Sequence, residues 1–431
     1  MTGTPWWTRL VGVLGIGVII GLAWAFSTDR KRVSWRLVGW GIGLQILLGV
    51  LILKTGPGLM VFNAGRAFVN RLLSFTDAGA GFLFGNLYRG DSGVLTGAGP
   101  GPGPIQVRDG GTGDFVDLGI VIAFHVLPTI IFFSSLMSVL YHLGVMQRLV
   151  RVFALAMQKT MGTSGSETLS CAANVFVGQT EAPLVVRPFI STMTMSELNA
   201  IMVGGFATVA GGVMAAYVRF GIDAGHLLAA SVMSAPAALV MAKLLYPETE
   251  VSKTAGSVKL EIERDTANVI DAAAKGAADG LMLALNVGAM LMAFIALIAL
   301  INWSISWLPE PVNSLQEIFG WVFAPISFFM GVEPKDVLAF GNLLGTKVAI
   351  NEFVAYVELN RVAAEISPRT YIIATYALCG FANFSSIAIQ IGGIGGIAPE
   401  RRKDLAQLGL RAMFGGALAS WLTATIAGIL L

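Results

Sequence analysis

Gly178-Gln179-Thr180-Glu181-Ala182-Pro183 and Ala349-Ile350-Asn351-Glu352-Phe353-Val354 are the stretches whose reading decides the fold. Each sets a small polar residue directly before a glutamate, within the otherwise apolar regions 163–190 and 339–359. Both regions are too interrupted for a plain membrane span and too apolar for an external loop. A re-entrant hairpin reconciles the two properties, because broken backbone at membrane depth is tolerated where protein buries it or where it lines a cavity.

The membrane follows from composition. The chain has 431 residues, 55% of them hydrophobic and 13% charged, with a mean hydropathy of +0.74. Soluble domains carry about 25% charged residues, so the lipid bilayer must cover much of this surface. A net charge of +2 gives nucleic acid little to bind. Cys171 and Cys379 lie in apolar stretches and read as reduced packing residues, and three scattered histidines offer no metal-ligand spacing.

Eight further stretches are long and apolar enough to cross: about 8–26, 34–53, 118–141, 197–218, 225–246, 279–301, 369–391 and 405–430. Ala23-Trp24-Ala25 looks like a signal-peptide cleavage site, yet the basic residues Arg30, Lys31, Arg32 and Arg36 follow the apolar run rather than precede it. The run therefore reads as a first membrane helix with its N-terminus outside. Alternating from there places Arg148, Arg151 and Lys159, then Lys253, Lys259, Arg264 and Lys275, then Arg401, Arg402 and Lys403 on the same inner side as Arg30 to Arg36. That is 14 of 28 basic residues, and it puts both termini in the periplasm of a bacterial inner membrane. Residues 57–75, with Arg66, Asn70 and Arg71, read as an interfacial amphipathic helix. The Gly/Pro run 97–104 reads as an external loop, and 264–279 as a short cytoplasmic or interfacial helix.

The two hairpins belong to a repeat. Gly205-Phe206-Ala207-Thr208 follows the first and Gly380-Phe381-Ala382-Asn383 the second. One copy begins from an inner loop and the other from an outer one, so the copies are inverted, and the site is expected between them near the bilayer midplane.

A carboxylate in hydrocarbon costs at least about 2.5–3.5 kcal/mol, so Glu181 and Glu352 imply a substrate or ion pathway. The structural alternative pairs them with Arg187 and Lys347. Around them Gln179, Thr180, Asn351, Asn383, Ser385 and Ser386 supply neutral donors and acceptors, a set suited to an uncharged solute with hydroxyls and a heterocyclic edge. Oxygens from Asn174 and Thr208, with the carbonyls of Val177 and Val209, are candidates for a small cation cage, and plain packing explains them as readily.

In Gly178-Gln179-Thr180-Glu181-Ala182-Pro183-Leu184, Asn351-Glu352-Phe353-Val354-Ala355-Tyr356 and Gly380-Phe381-Ala382-Asn383-Phe384-Ser385-Ser386-Ile387 the chain resembles the concentrative nucleoside transporter family, in its bacterial sodium-coupled form. The resemblance runs from about residue 119 to the C-terminus. It implies an all-α polytopic elevator-type transporter that assembles as a homotrimer and takes up nucleosides such as uridine. Gln179, Thr180 and Glu181 would hold the nucleobase, Glu352, Asn383 and Ser386 the ribose, and Val213 and Phe381 would pack on the base. Asn174, Val177, Thr208 and Val209 would bind one Na⁺, with no organic cofactor. The scaffold would comprise 1–56, 118–162 and 247–335, the transport domain 163–246 and 336–431, with 57–117 as interfacial helix and periplasmic loop. Proton-coupled relatives are similar but carry Ser-Glu-Ser where this chain has Thr180-Glu181-Ala182, which favours Na⁺ over H⁺. The rival readings are a proton-coupled nucleoside carrier, a carrier of another neutral polar solute, and, from a different class, a membrane-embedded enzyme or a channel. An intramembrane hydrolase would want a nucleophile–base pair or a metal set, and no histidine lies near the motif carboxylates.

Overall fold

The computed structural model describes residues 6–89, 106–108, 115–117, 121–255, 266–310 and 312–431. The Gly/Pro run 97–104 lies outside the described residues. In chain order the helices are α1 (Trp7–Ala25), α2 (Trp35–Lys54), α3 (Gly56–Phe84) and α4 (Asn86–Arg89). A two-stranded antiparallel ribbon follows, β1 (Gln106–Arg108) with β2 (Phe115–Asp117), in which Val107 pairs with Val116. Next come α5 (Ile122–His125), α6 (Leu127–His142), α7 (Val145–Met161) and α8 (Gly165–Ala173), then a 3₁₀ turn (Ala182–Val186) and α9 (Arg187–Ile190). The remainder is α10 (Met195–Ala207), α11 (Gly211–Arg219), α12 (Ala224–Leu245), α13 (Val269–Ile305), α14 (Leu315–Phe329), α15 (Val337–Ala349), α16 (Glu352–Arg361), α17 (Pro368–Leu378), α18 (Phe384–Ile397) and α19 (Arg402–Leu430).

Among the described residues, seven helical stretches are long and apolar enough to cross a bilayer. Their burial sorts them into two groups. The apolar windows of α10–α11, α12 and α19 are 83–89% buried, whereas those of α1, α2, α5–α6 and α13 are 11–28% buried. The first group forms the protein interior. The second turns most of its apolar surface outward, as a helix facing hydrocarbon or another subunit does.

Four segments differ from the sequence expectation. The interfacial helix expected over 57–75 runs on to Phe84, because Leu73, Thr76, Asp77 and Ala80 continue a buried face. The short helix expected over 264–279 is the start of α13, which continues unbroken to Ile305. The stretch with Arg148, Arg151 and Lys159 is the helix α7 rather than a loop: Met146, Val150, Ala154, Met157 and Met161 recur every three or four residues on its buried side. Finally α14 is an apolar helix that sequence reading passed over, since 15 residues fall short of the ~20 needed to span.

Two further segments, expected as unbroken spans over 197–218 and 369–391, are interrupted. α10 stops where Thr208 turns extended (φ −128°, ψ 170°) and α11 resumes at Gly211. α17 stops at Cys379, and Asn383 caps α18 by accepting from the Ser386 N–H. Gly380 between them has φ +145°, a value that L-residues rarely adopt. A Cβ there would lie 2.8 Å from the Phe206 carbonyl oxygen and 3.0 Å from that of Ala207. The two Gly-Phe-Ala elements therefore abut, and the backbone that each break frees is enclosed by the other.

α13 packs along α6 at close range: a Cβ on Gly280 would lie 2.8 Å from the Ile131 Cα and the Ser134 Cβ. A Gly280→Leu substitution is expected to destabilise the protein by about 1–3 kcal/mol through overpacking. Gly21→Leu, where no atom lies within 4 Å of the added Cβ, is expected to change stability by less than ~0.5 kcal/mol. Thermal melting of the detergent-purified variants compares the two directly.

Candidate functional site

The turn after α8 and the break after α10 are docked on each other. The turn after α8 begins at Asn174, whose Nδ2 donates to the Ser170 carbonyl at 3.2 Å. The Gly211 N–H donates to the Phe176 carbonyl at 3.2 Å, and the Gly178 Cα faces the Ala210 side chain. Asn174, Val177, Thr208 and Val209 are all buried along this contact. Thr208 Oγ1 donates to the Gly204 carbonyl at 3.0 Å, which leaves its oxygen able to accept or to ligate. Asn174 Oδ1 is buried without a hydrogen-bond partner among the described residues. Leaving such an oxygen unpaired costs roughly 1–3 kcal/mol, so it calls for an occupant. An oxygen ligand for a hard cation fits that requirement.

A second constellation joins residues 179–181 and the start of α16 to α11 and α18. Glu352 opens α16 directly after Asn351, which caps the helix by accepting from the Val354 N–H at 3.0 Å. The Glu352 carboxylate accepts from Asn383 Nδ2 on Oε2 at 3.0 Å and from the Tyr217 hydroxyl on Oε1 at 2.8 Å. Asn383 Oδ1 in turn accepts from the Ser385 hydroxyl at 2.8 Å and the Ser386 N–H at 2.9 Å. From hairpin 1, Gln179 Nε2 donates to Ser386 Oγ at 3.2 Å. The Thr180 side chain lies against Gly393 of α18, and Glu181 Oε2 accepts from the Gly178 N–H at 3.2 Å.

Among the described ion pairs neither glutamate has a basic partner in contact, although Lys347 acts on Glu352 through space. Lys347 is fully buried, but its ammonium donates to the Ala377 carbonyl and to Ser420 Oγ, both at 2.8 Å. It ties α15 to α17 and α19. The two carboxylates also have different surroundings. Glu352 is 3% exposed. Glu181 is open to a cavity of about 720 Å³ whose wall includes Ser138, His142, Arg187, Gly212, Lys275 and Asp279. Of the sequence-derived site residues, Glu181 alone lines that cavity. Gly212, the neighbour of buried Val213, lines it too, while Phe381 is half-buried beside the Asn383 cap.

Two members of the constellation were missed in the sequence. Tyr217 lies one helical turn beyond Val213, and its ring packs between Phe353 (4.9 Å) and Tyr356 (4.5 Å). Gln390 lies one turn beyond Ser386, and its Nε2 donates to Gln179 Oε1 at 3.0 Å. The i, i+4 spacing from a residue already singled out was the available signal in both cases. A third buried cluster was also missed: Lys243 pairs with Glu167 at 2.7 Å and Glu248 at 3.3 Å, while Glu197 accepts from Ser252 and Thr254. It clamps α8, α10 and α12 to residues 248–254.

Three family models cover the chain: Na⁺ dependent nucleoside transporter N-terminus over 14–87, Nucleoside recognition over 123–224, and Na⁺ dependent nucleoside transporter C-terminus over 226–428. The chain is 44% identical to an uncharacterized transporter of Haemophilus influenzae, across 97% of both chains. It is also 44% identical to the sodium/nucleoside cotransporter 1 of Rattus norvegicus, over 98% of this chain but 64% of that one, so it spans about two-thirds of the length of such mammalian relatives. Among solved structures it is similar to CNTnw in an inward-facing substrate-bound state, with a TM-score of 0.88, 43% identity and 98% coverage of each chain. It is similar to a doubly substituted CNTnw in an outward-facing state with a TM-score of 0.89 and 42% identity, over 99% of this chain and 98% of that one. The chain belongs to the Na⁺ dependent, or concentrative, nucleoside transporter family.

Proposed function

We propose that this protein is a secondary active transporter that carries nucleosides such as uridine into a bacterial cell by Na⁺-coupled symport. The observation that carries the reading is two unlike half-sites, one beside each interrupted helical path. One is a buried oxygen without a partner, Asn174 Oδ1, beside the break at Thr208. The other is a buried carboxylate, Glu352, held by Asn383 and Tyr217 with no cation in contact among the described residues. The rat relative is a sodium/nucleoside cotransporter by name, and the similar CNTnw structures are inward- and outward-facing, the two ends of an alternating-access cycle.

Na⁺ is cargo in this scheme. Asn174 Oδ1, Thr208 Oγ1 and the Val177 and Val209 carbonyls would hold it, a neutral oxygen set of the kind hard cations take. Gln179, Thr180 and Glu181 would meet the nucleobase, with Val213 and Phe381 against its faces. Glu352, Asn383 and Ser386 would meet the ribose, whose adjacent hydroxyls can donate to one carboxylate. Na⁺ would bind from the periplasm and order hairpin 1, and the nucleoside would then bridge both hairpins. Only the doubly loaded transport domain would have its polar groups neutralised enough to cross, which couples the two fluxes.

The finer architecture is part of the proposal. Eight membrane helices and two re-entrant hairpins would form an inverted repeat. The transport domain would comprise 163–246 and 336–431, sliding against a scaffold of 1–56, 118–162 and 247–335 in an elevator motion. Three copies would assemble through the scaffold, with both termini in the periplasm. The cavity beside Glu181 would then open to the cytoplasm, since Arg187 and Lys275 line it on the side rich in basic residues.

Radiolabelled uridine uptake into proteoliposomes tests the reading. Uptake is expected with an inward Na⁺ gradient and absent when choline replaces Na⁺. Uptake that persists in choline and collapses with a protonophore would transfer the coupling to protons. Glu352→Gln should abolish uptake while the protein still inserts and purifies normally. Tyr217→Phe, which keeps the ring packing but removes one hydrogen bond to the carboxylate, should weaken uridine binding about 10- to 100-fold, measured by calorimetry. Asn174→Ala should raise the Na⁺ concentration for half-maximal uptake about tenfold, equivalent to ~1.4 kcal/mol.

A further inference from the structure

Gln390 is fully buried on α18, and neither half of the transport scheme uses it. Its Nε2 donates twice, to the Met202 carbonyl at 3.1 Å and to Gln179 Oε1 at 3.0 Å. Its own Oε1 is buried and has no partner among the described residues. The side chain is held through its nitrogen alone.

That arrangement has a direction. A backbone carbonyl can only accept, so the end of Gln390 at Met202 must be the NH₂. The same NH₂ faces Gln179, so the end of Gln179 beside it must be the oxygen. The Gln179 NH₂ is thereby turned the other way, towards Ser386, where it donates to the hydroxyl at 3.2 Å. One hydrogen of that NH₂ is then committed and one remains. Having accepted, the Ser386 hydroxyl also keeps its own hydrogen to give. The orientation of an interior amide is here set by an acceptor two residues away rather than by the ligand.

The room for this contact is built in. A Cβ on Gly205 would lie 2.7 Å from Gln390 Nε2 and 2.9 Å from the Gln179 Cβ. The glycine that opens the first Gly-Phe-Ala element is the one position where α10 lets the two amides meet.

We propose that Gln390 is a specificity-determining residue: it fixes Gln179 with its NH₂ towards the nucleobase, so that this edge of the site prefers a base presenting a carbonyl to one presenting an amino group. The inference rests on the reading that Gln179 meets the base. Uridine and cytidine are the natural probes, since uracil carries a carbonyl where cytosine carries an amino group and the sugars are identical. The Gln179 NH₂ can only donate, so at that position it favours the first and meets the second donor to donor.

The test measures uridine and cytidine affinities by calorimetry, with saturating Na⁺, for the purified full chain and for Gln390→Met, which keeps the volume and removes both donors. The wild type is expected to bind uridine more tightly. Gln390→Met is expected to shrink the uridine-to-cytidine preference about fivefold or more, as Gln179 becomes free to turn over, while half-saturation by Na⁺ is unchanged. Should Gln390→Met fail to fold, Gly205→Ala reads the same ratio by forcing the two amides apart. Equal weakening of both nucleosides would make Gln390 a packing residue and overturn the proposal, as would an unchanged ratio or a wild type without preference. A wild type that binds neither nucleoside would instead remove the transport reading, on which this one stands.

Discussion

Backbone that leaves the helix at membrane depth must find partners inside the protein, and most of this molecule is arranged around that requirement. α10 and α17 each stop partway, at Thr208 and at Cys379, and each exposes carbonyl and amide groups that lipid cannot satisfy. The solution is reciprocal. Gly380 brings the second break against the backbone of Phe206 and Ala207 in the first, and the turn of hairpin 1 covers the remainder through Phe176 and Gly211. Asn351 and Asn383 cap the helices that restart, each with its own side-chain oxygen. The groups left over after this mutual capping are Asn174 Oδ1 and the free lone pairs of Glu352, both buried.

Buried ionisable groups in this chain are held in different ways. Lys243, Glu167 and Glu248 form a closed network in which every charge has an opposite partner. Arg219 is paired with Asp77, which Tyr88 also contacts, and this joins α3 to α11. Such groups are satisfied and hold elements together. Among the described residues Glu181 and Glu352 accept hydrogen bonds only from neutral donors, and Lys347 acts on Glu352 through space without touching it. A fixed cation beside either would compete with a ligand hydroxyl and would hold the carboxylate whether or not cargo was present. Neutral donors orient the group and leave its charge for the ligand to answer.

The parts of this picture that were legible in the sequence were those written as local contradictions. A glutamate after Thr180 and another after Asn351 do not suit a plain span, and with the two Gly-Phe-Ala elements they marked the candidate contacts, whereas the breaks at Thr208 and Cys379 were not legible, because 197–218 and 369–391 are apolar enough to read as unbroken spans. Residues that obey the apolar pattern around them were not legible. Tyr217 and Gln390 sit within helices whose pattern is already explained by packing, and their polar ends matter only because the fold brings Glu352 and Gln179 to them across more than a hundred residues of chain. α7 escaped notice because its basic face resembled a loop, and α14 because it is too short to span.

α13 carries a ruler along its length. At 1.5 Å per residue its 37 residues measure roughly 55 Å, well beyond a hydrocarbon layer of about 30 Å. Trp303 and Trp307 stand exposed at one end, where indole side chains favour the lipid headgroups. Counting back about 20 residues, one hydrocarbon thickness, arrives just past Asp279. From Leu281 to Ile305 the helix bears no ionisable side chain. Lys275 and Asp279 thus fall about one hydrocarbon thickness from the two tryptophans, and α13 adds no further charge to the wall of the cavity that they share with Glu181.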